Sequence, residues 1–192
     1  MMKCEAFLIG GSAGSLEVLL KVLPDLDASL PFPIIIVLHR KPGKDNILTD
    51  LLAAKTQLHV KEIEEKEKIK PSTIYIAPPN YHLLIERNYT FSLDASEKVN
   101  FSRPSIDVSF ESAADTFKEG LFCLLLSGAN SDGSEGLVKV RRKGGTIIVQ
   151  DPASAVVSYM PEAALAKLEA DEILKPQEIA NYLNNLAKHY NE

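Results

Sequence analysis

The sequence predicts an α/β fold: a doubly wound, mostly parallel sheet with helices on both faces, in three layers, and a small β-hairpin as an excursion. Two apolar runs, Ile34–Leu38 and Leu121–Leu126, lack polar alternation, which is typical of strands buried on both faces of a parallel sheet. Amphipathic segments separate such runs, and leucines recur at helical spacing from Leu16 to Leu23. Because no repeat or linker interrupts this rhythm, we expect a single domain over residues 1–192.

The individual elements follow from periodicity and from glycine and proline positions. The predicted strands are Ala6–Ile9, Phe32–Leu38, Ile74–Ala77, Leu121–Leu126 and Thr146–Gln150, and the hairpin joins His82–Glu86 to Thr90–Leu93. The first three predicted helices are the leucine-rich segment that ends at Pro24, Asn46–Ala54, and a helix from Asp107 to a C-cap at Gly120. A fourth predicted helix ends at about Arg142, and a fifth starts at Met160-Pro161. The last one has Ile179, Tyr182, Leu183 and Leu186 on one face. The alternating charges of Lys61–Lys70 indicate a solvated edge or loop, and Lys41–Lys44 a loop.

Composition excludes several classes of protein. The formal net charge of -5 leaves no basic surplus for nucleic-acid binding. No apolar run is long enough to insert into a membrane, and the start lacks the plan of a signal peptide. The two cysteines, Cys4 and Cys123, form no metal or redox motif, so we expect a cytoplasmic protein with no metal and no cofactor.

The stretch from Ile9 to Ser15 is the first candidate for chemistry. Gly10, Ser12 and Gly14 fit G-x-S-x-G between a strand and a helix, the context of a nucleophile elbow. Glycines on both sides of the serine permit the sharp turn, and N–H groups at the start of the helix can stabilise an oxyanion. A glycine-rich turn that binds phosphate, or that only packs closely, is the alternative interpretation.

Two further strands end in residues that complement a serine nucleophile. His39 follows the strand Ile34–Leu38, and Asp132 lies in the loop after Leu121–Leu126. Because the carboxyl ends of parallel strands share one edge of a sheet, Ser12, His39 and Asp132 can meet there as nucleophile, base and orienting acid. We expect about 2.6–3.2 Å between the nucleophile and its base.

Each of these residues also has a purely structural interpretation. A histidine after a strand is often structural, and an aspartate before glycine is often a turn or N-cap residue. His82 is a rival base and Asp151 a rival acid, whereas the two remaining histidines are expected at the surface. Those two are His59 and His189.

Several motifs occur together and in order along nearly the whole chain. They are Ile9-Gly10-Gly11-Ser12-Ala13-Gly14, Val37-Leu38-His39, Ile76-Ala77-Pro78 with His82-Leu83, Arg103-Pro104-Ser105-Ile106-Asp107-Val108, Leu126 to Gly133, and Gln150 to Val157 followed by Met160-Pro161. This set resembles the catalytic domain of the chemotaxis methylesterases, the CheB family.

The resemblance implies a serine hydrolase that removes methyl groups from glutamate γ-methyl esters on chemoreceptor helices and releases methanol, with deamidation of receptor glutamines in some members. By motif position, the nucleophile, base and acid are Ser12, His39 and Asp132. The implied partners are the methylated cytoplasmic helices of chemoreceptors, with a separate receiver or methyltransferase protein as a further candidate. The family's usual receiver domain is absent from the sequence, so regulation by phosphorylation within the chain is not expected.

The chain departs from the family pattern around the serine and in the loop that carries Asp132. Ala13 and Ser15 replace the usual Thr and Gly. Ala129 and Asn130 replace Met and Gly, and Arg40 replaces the Met after the histidine, where it is suited to an acidic receptor segment or to solvent. A backbone donor does not depend on its side chain, so the N–H groups of Ala13 and Ala129 are the expected oxyanion donors.

Two other functions fit the same fold. The altered loop and the missing receiver favour a scaffold that binds methylated receptor helices with little turnover. The glycine turn alone is compatible with a small-molecule esterase or a phosphate-binding module. Labelling of Ser12 by a fluorophosphonate separates an active serine from an inert one.

Overall fold

The computed structural model describes residues 3–40, 47–188 and 190. Its main sheet has seven strands, and all of their described pairings are parallel. In chain order the strands are β1 (Ala6–Gly11), β2 (Ile34–Leu38), β3 (His59–Glu62), β4 (Thr73–Ile76), β7 (Leu121–Leu125), β8 (Thr146–Gln150) and β9 (Glu172–Leu174), with β5 (His82–Ile85) and β6 (Phe91–Asp94) forming a separate antiparallel pair. Across the sheet the order is β3-β4-β2-β1-β7-β8-β9.

Six α-helices cover the sheet in the described part of the chain. They are α1 (Ser15–Val22), α2 (Ile47–Ala53), α3 (Ile106–Phe117), α4 (Ser134–Arg142), α5 (Tyr159–Leu165) and α6 (Pro176–Lys188). None of the helices described is both long and apolar enough to cross a lipid bilayer.

Two separate apolar cores lie on the two faces of the sheet. Alternate side chains of a strand point to opposite faces, so Phe7 and Ile9 enter one core while Leu8 enters the other. The first core contains residues of α1 and α6, and the second contains residues of α3, α4 and α5. The predicted three-layer, doubly wound fold is therefore confirmed.

Most predicted elements are present with small shifts in their bounds. The hairpin and the strands after Pro33, Gly120 and Gly145 are confirmed. The predicted leucine stripe of the first helix is only partly its buried face, because Val18 and Val22 are buried whereas Leu16 and Leu20 are half-buried. The predicted loop Lys41–Lys44 lies outside the described residues, as do Asn46 and His189.

In local structure, the sheet edge agrees with expectation, one strand was not predicted, and one predicted helix cap is wrong. The start of the charged stretch Lys61–Lys70, expected to be a solvated edge or loop, belongs to β3, which is a strand at the edge of the sheet. Strand β9 was not predicted. The helix α3 ends at Phe117, and Lys118 is its C-cap with φ 50°, so Gly120 does not cap it. A short 3₁₀ turn over Lys118–Gly120 follows instead and leads into β7.

The topology creates a crevice at one edge of the sheet. Strand β1 lies at the centre, with β2 on one side and β7 on the other. The chain builds one half of the sheet before it returns to the other side of β1, which makes the carboxyl ends of β1 and β7 a topological switch point. Ligands bind at such points in open α/β sheets.

Candidate active site

Ser12 stands directly after β1, at a tight turn into α1. Gly14 has φ 84°, a left-handed conformation that glycine adopts without strain. The backbone N–H of Ser12 donates to Ser127 O at 2.9 Å and to Ser15 Oγ at 3.1 Å. The Ser15 hydroxyl in turn donates to Ser127 O at 2.8 Å. These bonds fix the serine turn to the loop that follows β7.

The loop after β7 also approaches the serine side chain closely. A Cβ atom placed on Gly128 would lie 3.0 Å from Ser12 Cβ and 2.5 Å from the end of the Met160 side chain. Ser127 Oγ donates to Ala13 O at 2.7 Å. The glycine at position 128 therefore makes room for the Ser12 side chain beside this second loop.

His39 lies beside Ser12 at the same edge of the sheet. The register pairs Gly11 with Leu38, and the His39 backbone N–H donates to Gly11 O at 3.1 Å. His39 Nε2 is 2.7 Å from Asp132 Oδ2. Because the carboxylate accepts from Nε2–H, the other ring nitrogen, Nδ1, is left as the proton acceptor.

The Nδ1 side of His39 is not closed by a strong hydrogen bond. Ser102 Oγ lies 3.4 Å from Nδ1. Among the described residues Ser12 Oγ makes no hydrogen bond to His39, so the expected short contact is not formed in this state. Catalytic hydrogen bonds are often long or poorly aligned without a substrate, and a serine hydroxyl can rotate.

Asp132 is fully buried and is surrounded by donors. Besides His39, its oxygens accept from Ser105 Oγ at 2.9 Å and from the N–H groups of Ile106 at 2.7 Å and Asp107 at 3.1 Å. The carboxylate thus lies at the start of α3, where the helix dipole favours negative charge. Burial raises the pKa of Asp132, but hydrogen bonds from His39, Ile106 and Asn100 outweigh it and lower the pKa to about 2.

A second buried carboxylate, Asp107, lies behind Asp132. The two carboxylates share the amide of Asn100, whose Nδ2 donates to Asp107 Oδ2 at 2.7 Å and to Asp132 Oδ1 at 2.8 Å. Asp107 also accepts from the Gly136 N–H at 2.7 Å. Burial, together with the charge of Asp132, raises the pKa of Asp107 to about 6, although the hydrogen bonds from Gly136 and Asn100 oppose this rise.

Sequence reasoning did not assign roles to Asn100, Ser102, Ser105 and Asp107. Ser105 and Asp107 belong to the motif Arg103 to Val108, so that motif was the one available signal for two of them. Asn100 and Ser102 belong to a turn that no sequence pattern singled out. Their roles depend on tertiary contacts with Asp132 and His39.

The rival residues are occupied elsewhere. His82 is buried, its Nδ1 accepts from the Ser105 N–H at 3.1 Å, and its Nε2 is 2.8 Å from Glu97 O. Both ring nitrogens therefore hold backbone in place. Asp151 caps a short turn by accepting from the Ala153 N–H at 3.0 Å. His59 is exposed in β3.

The proposed oxyanion donors are Ala13 and Ala129, both exposed residues beside Ser12 and Gly128. Neither backbone N–H donates a hydrogen bond to another backbone group in the part of the chain that is described. They lie on the two loops that Ser127 joins. Their role as donors to a substrate oxygen stays a prediction.

A serine on a strand–helix turn, beside a histidine that is hydrogen-bonded to a buried aspartate on a parallel α/β sheet, is the arrangement expected of a serine hydrolase. The family model for the CheB methylesterases matches residues 7–183. The chain therefore belongs to the CheB methylesterase family.

Individual relatives agree with this placement. A Leptospira interrogans protein, provisionally named a protein-glutamate methylesterase/protein-glutamine glutaminase, is 44% identical over 93% of this chain and 93% of its own length. The Thermotoga maritima enzyme of the same name is 35% identical over 93% of this chain, which corresponds to 53% of that enzyme. The crystal structure of the Thermotoga maritima CheB methylesterase catalytic domain superimposes with a TM-score of 0.91 at 35% identity, covering 96% of this chain and 99% of that domain.

Proposed function

We propose that Ser12, His39 and Asp132 carry out the protein-glutamate methylesterase reaction of this CheB-family chain. The observation that carries this assignment is the 2.7 Å contact between His39 Nε2 and the buried Asp132, at the strand end next to Ser12. The contact leaves Nδ1 of His39 as the basic nitrogen. The backbone N–H of His39 donates to the carbonyl oxygen of Gly11, the residue before Ser12. Residues 1–192 are proposed to form one catalytic domain.

The reaction proceeds through an acyl-enzyme. His39 Nδ1 takes the proton of the Ser12 hydroxyl as Oγ bonds to the γ-carbonyl carbon of the glutamyl methyl ester. The tetrahedral intermediate then expels the methoxy group, which takes the proton from His39 and leaves as methanol. Water adds to the acyl-enzyme by the reverse proton path, which releases the glutamate carboxyl group and restores the serine hydroxyl.

Asp132 supports this reaction by holding the imidazole and stabilising its protonated form. A carboxylate with a pKa of about 2 stays ionised throughout the neutral range, so its partner Nε2 always faces a negative charge. The backbone N–H groups of Ala13 and Ala129 are proposed to bind the developing oxyanion. The substitutions at positions 129 and 130 leave such a backbone donor in place, whatever they do to the shape of the ester pocket.

The same intermediate can form from a glutamine side chain with loss of ammonia. The relatives' names include protein-glutamine glutaminase. We therefore include deamidation of receptor glutamines in the proposed activity. The proposed partners are methylated cytoplasmic helices of chemoreceptors, which also makes the cytoplasm the proposed location.

The deciding experiment measures methanol release from a methylated receptor fragment. Ser12→Ala is expected to reduce the rate by at least about a thousandfold, because the covalent step is lost. The control is Ser29→Ala, which removes an exposed serine elsewhere and leaves the rate unchanged. Unchanged release by Ser12→Ala would refute the proposed mechanism.

Fluorophosphonate labelling separates this proposal from its two rivals. The wild-type chain is expected to be labelled at Ser12 and the Ser12→Ala variant is not. An unlabelled wild-type protein that still binds receptor fragments would instead be a scaffold. Labelling with turnover of simple soluble esters, and none of receptor fragments, would indicate a small-molecule esterase.

A further inference from the structure

A cleft of about 290 Å³ opens beside His39, and its described wall is cationic. Arg40, Lys98 and Arg103 line it, and no aspartate or glutamate does so among the described residues. The whole chain carries a formal charge of -5, so the sign of this wall is opposite to that of the molecule. A wall of this kind favours an anionic group next to the catalytic base.

The three cations differ in how far they are already neutralised. Arg40 forms an ion pair with Glu62 at 2.6 Å. Arg103 donates from Nη1 to the carbonyl oxygens of Ala95 and Ser96, which fixes its position without cancelling its charge. Lys98 is exposed and makes no ion pair with any described residue.

A strained turn forms the rim of the cleft. Val99 and Ser102 exchange backbone hydrogen bonds of 3.2 and 2.9 Å, and both residues between them have positive φ, Asn100 at 52° and Phe101 at 62°. Such a conformation suits asparagine but is costly for phenylalanine. Phe101 is nevertheless 96% exposed, so burial does not offset this cost.

The side chain of Asn100 anchors this turn to the buried carboxylates behind it. The amide of Asn100 bonds to both Asp107 and Asp132, as described above. The rim therefore has a fixed position relative to the His39–Asp132 pair. An aromatic ring presented in this way, next to an unpaired lysine, is suited to contact a partner that carries both apolar and acidic side chains.

On the basis of the proposed function, we propose that this cleft is a subsite for a second carboxylate of the same substrate protein, a glutamate side chain that carries no methyl group. Lys98 is its main charge partner, and Phe101 contacts the helix surface beside it. Side chains three or four residues apart on a helix lie about 5–6 Å from one another. When the methyl ester of a substrate helix lies at Ser12, a glutamate three or four residues away on that helix can therefore reach the cleft, which adjoins His39.

The subsite links successive turnovers. Each hydrolysis converts a neutral ester into the carboxylate that the cleft binds. A substrate that has already lost one methyl group is then bound better for the removal of a neighbouring one. Demethylation of a helix that carries several sites consequently accelerates after the first event.

The test compares two helical receptor fragments that each carry one glutamyl γ-methyl ester. One fragment has glutamate four residues from the ester, and the other has alanine there, since glutamine could itself be deamidated. The wild-type chain is expected to show about two- to fivefold higher kcat/KM for the glutamate fragment at low salt, with the preference weakening as salt screens it. Lys98→Glu is expected to reverse the preference.

The matched control is Lys21→Glu, which makes the same change of charge at an exposed lysine of α1 outside the cleft. It should preserve the preference of the wild-type chain. Equal kcat/KM for the two fragments in the wild-type chain would overturn the subsite, as would a preference that survives Lys98→Glu.

Binding to the Ser12→Ala variant keeps this proposal distinct from the proposed catalysis. The Kd of each ester fragment is measured by fluorescence anisotropy, without any turnover. Tighter binding of the glutamate fragment, lost with Lys98→Glu in the same background, supports the subsite even where methanol release fails. Equal affinity for the two fragments, or binding of neither, refutes it.

Discussion

Asp132 and Asp107 are two buried carboxylates that lie within reach of one asparagine amide, yet their environments push their pKa values in opposite directions. Asp132 lies at the start of α3 and receives donors from His39, Ser105 and the helix backbone. Asp107 lies within the first turn and has fewer donors to offset its burial. Burial alone therefore does not set the charge of a carboxylate; the donors around it and the charge of its neighbour also decide its pKa.

The difference assigns separate tasks to the two groups. A carboxylate with a pKa of about 2 is a permanent anion beside His39. A carboxyl group with a pKa of about 6 changes its charge close to neutral pH, and its described hydrogen bonds go to Asn100 and Gly136 rather than to the imidazole. The first is suited to orient a catalytic base, whereas the second connects α3 to α4 through Gly136.

The largest expected effect on activity comes from Asp132, and it is measured against the same replacement at Asp107. Asp132→Asn is expected to reduce kcat for methanol release by about 10³–10⁴-fold, because an amide neither fixes the imidazole tautomer nor stabilises the imidazolium. Steady-state kinetics on a methylated receptor fragment provide the measurement.

Asp107→Asn is the matched comparison, with the same change of side chain on a carboxyl group that does not touch His39. Its kcat is expected to stay within about tenfold of the wild-type value. If both variants lose activity equally, the distinction between the two carboxylates is wrong.

An intermediate effect concerns stability. The pKa of Asp107 is raised to about 6 in the fold from an unfolded value of 3.8, so the folded state binds more protons between these values. The stability that its protonated form contributes is present below the unfolded pKa and is lost as the pH rises through about 6. Between about pH 4.5 and 7 the free energy of unfolding should fall by about 2 kcal/mol more in the wild-type chain than in Asp107→Asn.

Denaturant unfolding at several pH values measures this difference. The absolute stability of the variant is not the readout, since the new amide also changes the hydrogen bonds to Gly136 and Asn100. Parallel pH dependences of the two proteins would contradict the raised pKa of Asp107.

The smallest expected effect on kcat comes from Asn100, whose amide bridges the two carboxylates. Asn100→Gly keeps the positive φ accessible and removes only the amide, so kcat should fall by about three- to tenfold. The hydrogen bond from Asn100 lowers the pKa of Asp107, and its loss should move the pH-dependent drop in stability to higher pH. Ser72→Gly is the control, because Ser72 also has positive φ, bonds to neither carboxylate and does not line the cleft beside His39. An unchanged profile for Asn100→Gly would mean that the bridge is unimportant.

The sequence was most informative where strands end. Uninterrupted apolar runs located β2 and β7, and the residues after them, His39 and Asp132, could be placed at one edge by the geometry of parallel sheets. The same reasoning could not identify Asn100 or Ser102, since these side chains reach the site from a turn outside the parallel sheet. Their positions depend on contacts with residues distant in sequence, which local patterns do not encode.

For the fold as well, local sequence patterns revealed some elements and not others. The charged stretch from Lys61 was expected to be an edge or loop, and its start is the edge strand β3. The strand pairing was not predicted because the partly buried Lys61 and Glu62 carry charges, a common feature of edge strands that protects them from further pairing. The short β9 has only three residues and little burial, so no periodicity could reveal it. Gly120 was misassigned as a cap because Lys118 adopts the unusual conformation instead.

The donors to Asp132 have a consequence for biogenesis. They come from segments up to 93 residues away along the chain, and Ser12, the proposed nucleophile, directly follows the central strand between the two halves of the sheet. A nascent or half-folded chain holds a serine without a base, and a histidine without its anion. The proposed site therefore depends on the tertiary fold as a whole and cannot be carried by either half of the sheet alone.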